Sequence, residues 1–145
     1  SKRDILNLLI ENIEETLMEV INKSVVDKDP IQNLKNILLN QLNLAKNRRK
    51  TSLVVILGAM QFSDPVIRKM ISQLLDRYLC RIEEILSQAI RLGMVKSEIN
   101  PKTSAIAFFG LIQSSITMLS YMKFDFVPDE LHSQLWSIYH QGIGV

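Results

Sequence analysis

Two histidines, His132 and His140, stand eight residues apart with Trp136 midway between them, on one stripe of a helical segment. Imidazole is a common metal ligand, but positions eight apart sit two helical turns from each other, too far to share one ion without bending. No carboxylate or cysteine supplies the missing ligands at matching spacing, so the stripe reads as a rim or an interface and no metal site is expected. Cys80 stands alone, which excludes an internal disulfide and suits a reducing compartment. It lies beside Leu79 and Arg81 in a long helix and reads as a small helix residue. Lys46, Arg48, Arg49 and Lys50 form the dense basic run of the chain. They would suit a phosphate or the anionic head of an acyl-coenzyme A, yet cations also belong at a helix C-terminus, and this second reading is the simpler. No G-x-S-x-G, glycine-rich phosphate loop or H-E-x-x-H occurs, so neither catalysis nor a cofactor is expected.

The elements that carry these groups announce their own boundaries. Asp29-Pro30, Asp64-Pro65 and Asn100-Pro101 each pair a capping side chain with a proline suited to a first helical turn. Pro128 with Asp129 and Glu130 is a fourth start, and Gly93 and Gly142 read as stops. The spacing predicts six helices. They run from Ser1 to about Asn22, from Pro30 to the basic run, from Thr51 or Ser52 through Met60, from Pro65 to Gly93, from Pro101 to about Lys123, and from Pro128 to Gly142. Ile5, Leu8, Leu9, Ile13, Leu17, Val20 and Ile21 form the expected inner stripe of the first helix. A composition 47% hydrophobic but only 6% aromatic favours helices packed by aliphatic side chains. With 145 residues, the expectation is one all-α domain over 1–145. A net charge of +2 is too small to argue for a nucleic-acid surface. The longest apolar runs, 53–60 and 105–112, fall far short of the ~20 residues a membrane helix needs. The acid-rich amphipathic N-terminus is no secretory signal, so a soluble, cytoplasmic chain without a membrane partner is expected.

The helix from Pro101 is apolar nearly all round and needs cover on more than one side. At roughly 100° per residue, Thr103, Ala107, Gly110, Ser114, Thr117 and Tyr121 share a face of mostly small residues, flanked by Leu111 and Met118. Phe108, Phe109, Ile112, Ile116 and Leu119 make the bulky opposite face, with Ser115 at its margin. Small residues admit a close neighbour, either a helix of the same chain or the same helix of a second copy. The last helix, with Leu131, Leu135, Ile138 and Tyr139, also needs a partner. A twofold homodimer through these two helices is therefore the favoured expectation.

The order and punctuation of the helices resemble the C-terminal regulatory domain of the tetracycline-repressor (TetR) family of transcriptional regulators. The resemblance rests on the long helix from Asp64-Pro65, then Leu92-Gly93-Met94-Val95 with an acid at Glu98, then Ile99-Asn100-Pro101. An alanine-rich helix follows, with Ala105, Ala107, Gly110, Leu111 and Ile112, and the final helix reaches Gly142. Ser1-Lys2-Arg3-Asp4-Ile5-Leu6 is similar to the segment that ends the family's DNA-binding domain and begins the linking helix.

The resemblance implies an effector-binding and dimerisation domain whose helix-turn-helix is expected before residue 1, so that DNA is a partner only through that missing part. It also implies a ligand pocket between helices. The bulky face (Phe108, Ile112, Ser115, Ile116, Leu119), with Leu38, Leu42, Leu57, Met60, Met70, Leu74 and Tyr78, would line it. Tyr78, Gln113 and Ser115 are the candidate polar anchors. With no acid or base placed inward, a small apolar or amphipathic effector is expected. Read from the residues alone, the same side chains make an ordinary packed core. The alternative function is then a helical dimerisation or interaction module without a small-molecule ligand.

Overall fold

In a computed structural model describing residues 1–47, 64–122 and 125–145, with backbone only at 120 and 121, the chain forms helices throughout. They are α1 (Lys2–Ser24), α2 (Pro30–Asn47), α3 (Pro65–Arg91), α4 (Pro101–Tyr121) and α5 (Pro128–Ile143). The short helix expected through Met60 lies outside the described residues. Prolines occupy the first positions of α2 to α5, where a missing N–H loses nothing. The capping side chains do what their types suggest. Asp29 Oδ1 accepts from the Ile31 N–H at 2.8 Å, Asp64 Oδ1 from the Val66 N–H at 2.9 Å, and Asn100 Oδ1 from the Thr103 N–H at 3.0 Å.

Gly93, at φ +73°, closes α3. Its N–H reaches the Ile90 carbonyl at 3.0 Å, and the Met94 N–H reaches Ala89 at 2.9 Å, the crossed pair that satisfies a helix end through a left-handed residue. Gly142, expected to stop α5, instead lies within its last turn. The helix ends because the chain is drawn into a bridge between Val95 and Gly144. There the Lys96 N–H donates to the Ile143 carbonyl at 3.0 Å and the Val145 N–H to Met94 at 3.4 Å.

α3 sits centrally, packed against α1, α2 and α4, while α2 also packs on α5. It buries Ile67, Ile71, Leu74, Tyr78, Ile82, Ile85, Leu86 and Ala89, one face through its whole length. α1 buries Ile10, Ile13, Leu17, Val20 and Ile21. Ile5 and Leu8, expected on that stripe, are 62% and 61% exposed; the helical period turns Leu8 roughly 180° from Leu17 and leaves Ile5 roughly 120° from it, at the edge of the buried side. Among the described residues, no helix is long and apolar enough to cross a membrane.

Candidate functional site

Where α2, α3 and α4 meet, Leu38, Leu42, Leu74, Tyr78, Phe108 and Ile112 are each 0% exposed. The Tyr78 and Phe109 rings stand 4.9 Å apart, tilted by 56°. Of the other expected pocket residues, Ile116 is buried, while Met70, Ser115 and Leu119 are half-buried; Leu57 and Met60 lie outside the described residues. Among the described residues these six side chains form a closely packed nucleus. An open cleft of ≈ 380 Å³ runs elsewhere, along Arg68, Ile71, Ser72, Leu75, Asp76 and Leu79 of α3.

The polar groups of the core divide sharply. Ser24, Asn33 and Ser104 are buried and bonded: Ser24 Oγ donates to the Val20 carbonyl and accepts from Asn40 at 2.8 Å, and Asn33 bonds both backbone groups of Asp27 at 3.0 Å. Ser115, expected as an anchor, is engaged by its own helix, donating to the Leu111 carbonyl at 2.6 Å. Gln41 and Tyr78 differ. Gln41 is 3% exposed with neither amide atom hydrogen-bonded, and the Tyr78 hydroxyl is buried without a partner. Burial pushes the Tyr78 hydroxyl far above its ordinary pKa, and the nearby Gln41 amide opposes that shift without completing a hydrogen bond. Each such orphaned group costs about 1–3 kcal/mol. Sequence reasoning missed Gln41. Its signal was its place on the inward stripe, one turn after Leu38 and beside Leu42.

The small-residue face lies open. Ala107, Gly110, Ser114 and Met118 are exposed, Leu111 and Thr117 are half-buried, and the Tyr121 side chain is outside the described residues. A Cβ built at Gly110 would meet nothing of this chain within 4 Å. On α5, Ile138 is 67% exposed, and Leu131 and Leu135 are half-buried. Tyr139, expected beside them, turns inward. It is buried, its hydroxyl lies 2.7 Å from Ser104 Oγ and 3.1 Å from the Ser104 carbonyl, and its ring stands 5.2 Å from Phe108. Burial raises its pKa to about 12 against the opposing Ser104 hydrogen bond.

The histidines of α5 serve packing. His132 Nε2 meets the Lys35 carbonyl at 3.0 Å, while His140 stacks on Trp136 at 5.2 Å, with the Lys35 ammonium 5.9 Å from the Trp136 ring. No group of three metal-ligating side chains comes together among the described residues. Of the basic run, Lys46 pairs with Asp125 and lies 5.3 Å from the Phe126 ring; Arg48, Arg49 and Lys50 lie outside the described residues.

Polar bridges also fasten α1 to α3 and its cap. Arg3 Nε bonds Asp64 Oδ2 at 2.7 Å, Arg77 pairs with Glu14, and Arg81 donates to Asn22 Oδ1 at 3.2 Å. The Arg3 guanidinium holds the Asp64 carboxyl below the usual carboxylate range, and Glu14 raises Arg77.

Comparison with known proteins places this architecture. Residues 3–138 match the TetR family's YsiA-like protein, C-terminal region. The nucleoid occlusion factor SlmA of Vibrio vulnificus is 30% identical over 142 residues, covering 95% of this chain and 71% of the relative. The transcriptional regulator FadR of Bacillus subtilis, solved in complex with stearoyl-CoA, superposes with a TM-score of 0.83 at 19% identity, over 99% of this chain and 77% of that one. The fatty acid degradation regulator FadR of Bacillus halodurans gives 0.79 at 16% identity, over 95% and 71%. At those identities the structures speak for the fold alone. The sequence matches decide the rest: this chain belongs to the TetR family of transcriptional regulators, as a C-terminal region of the YsiA-like kind.

Proposed function

We propose that the chain is the effector-binding and dimerisation unit of a TetR-like regulator, sensing a small apolar or amphipathic molecule and relaying its arrival to a DNA-binding domain ahead of α1. The observation that carries this reading is the fastening of α1. Arg3–Asp64, Glu14–Arg77 and Asn22–Arg81 tie it along the helix that supplies Leu74 and Tyr78 to the nucleus. A ligand reaching these buried side chains would displace α3 against its neighbours, and the bridges would pass that displacement to α1. In a dimer, changing the separation of two DNA-binding domains spoils their fit to successive major-groove half-sites and lowers operator affinity. The second copy would cover the open strip of Ala107, Gly110, Ser114 and Ile138. The stearoyl-CoA complex of a similarly folded regulator makes long-chain acyl thioesters the first ligands to try.

Native mass spectrometry of the purified chain, with and without stearoyl-CoA, tests this. A dimer that gains ligand mass supports both halves of the reading, and a monomer removes the interface half. A dimer that takes up nothing favours the other function, an interaction module without a small-molecule ligand. That second reading draws support from the six fully buried side chains of the nucleus, which leave no ready-made cavity among themselves.

A further inference from the structure

The nucleus contains more polarity than its packing uses. Gln41 projects from α2 between Leu38 and Leu42 on the helix's buried side, and Tyr78 reaches it from α3 with its ring against Phe109. Both Gln41 amide atoms and the Tyr78 hydroxyl are buried without partners, whereas the buried Ser24, Asn33 and Ser104 are bonded. Replacing Gln41 by an aliphatic residue of similar size would remove two of these three unbonded atoms, so the amide weakens the closed core.

We propose that Gln41 and Tyr78 form a polar recognition point within the effector site. It would bind a neutral ligand group that both donates and accepts hydrogen bonds, such as an amide or hydroxyl carried on an aliphatic chain. This rests on the sensor reading above. The Gln41 amide offers a donor and an acceptor on one plane, and the Tyr78 hydroxyl adds either. A ligand amide can satisfy both at once: its carbonyl accepts from the Gln41 amide group or the Tyr78 hydroxyl, and its N–H donates to the Gln41 oxygen. A carboxylate is disfavoured at this point, because the buried polar residues described are Ser24, Asn33, Gln41 and Ser104, none of them cationic. A parted core would expose the orphaned atoms, and a matching ligand would bond them as it fills the gap. The selectivity would therefore be built into the cost of the closed state.

Calorimetric titration of the intact chain with N-methyldodecanamide, methyl dodecanoate and dodecanoate tests the proposal. The expected order is amide first, by roughly tenfold over the ester, which lacks the donor. Gln41→Leu should erase that preference, weakening the amide by more than the ester, and should raise the unfolding midpoint of the unliganded chain. Tyr78→Phe, which keeps the ring contact with Phe109, should narrow the preference independently. A preference that survives in both variants would overturn the recognition point while leaving the sensor reading intact. Loss of unliganded stability in Gln41→Leu would also overturn it, since the amide would then be satisfied internally. If none of the three probes binds the wild-type chain while stearoyl-CoA does, the recognition point falls and the sensor reading stands; if stearoyl-CoA fails to bind as well, both fall.

Discussion

Arg3 and Asp64 lie 61 positions apart, yet their side chains meet at 2.7 Å, and the carboxylate that receives Arg3 is the one that caps α3 through the Val66 N–H at 2.9 Å. One group thus fastens the first turn of α1 to the first turn of α3.

This double role gives a pH dependence of known sign. The Asp64 pKa is lowered from 3.8 in the folded chain, first by Arg3, so its stabilisation is complete above 3.8 and disappears as pH falls through the lower folded value. Asp64→Ala should therefore lower the thermal midpoint at neutral pH. The gap to wild type should shrink when both are melted at about pH 2.

The two buried tyrosines should respond oppositely to loss of their hydroxyls. Tyr139 is bonded to Ser104, so Tyr139→Phe orphans a buried serine and should destabilise by about 1–2 kcal/mol. Tyr78 has no partner, so Tyr78→Phe should be neutral or stabilising by up to about 1 kcal/mol. Urea unfolding of the two variants side by side checks both signs.

Gly110 faces open space in its own chain. Gly110→Arg should leave helicity unchanged by circular dichroism while weakening association. An unpaired guanidinium within an interface costs about 3–5 kcal/mol, roughly a hundredfold or more in the dimer dissociation constant. Sedimentation velocity across a dilution series measures it. Unchanged association would remove α4 from the interface.

Burial holds the His132 imidazole below its ordinary 6.5, with the Lys35 charge acting in the same direction and the hydrogen bond to the Lys35 carbonyl opposing. The neutral ring is favoured by folding, so the stability it contributes is complete above 6.5 and declines as pH drops from there toward the folded value. Melting curves between about pH 7.5 and 5.5 should slope less in His132→Gln than in wild type.

What was legible in the sequence was local. Asp29-Pro30, Asp64-Pro65 and Asn100-Pro101 start helices because a capping oxygen and a proline act within one turn, and Gly93 stops one because its left-handed φ needs no distant partner. Roles set by long-range contacts were not legible. Gly142 lost its expected role as a stop to a bridge between Val95 and Gly144. Tyr139 turned inward because Ser104, 35 residues away, accepts its hydroxyl. Ser115, a candidate polar anchor, is half-buried, but its hydroxyl is taken by its own helix. Gln41 was hidden by its type: an amide on an apolar stripe reads as a solvated edge until its neighbours are known to enclose it.

The bridge that ends α5 also anchors one end of α3. α3 has 27 residues, a rod about 40 Å long, and the turn beyond Gly93 is clasped to the chain's end by Val95–Gly144 and by Lys96 Nζ on the Gly142 carbonyl at 3.2 Å. Tyr78 stands midway along it. A rod pinned at one end and pushed at its centre behaves as a lever. Under the proposed relay, each ångström of parting at Tyr78 would become about two at Asp64, where Arg3 would take it up.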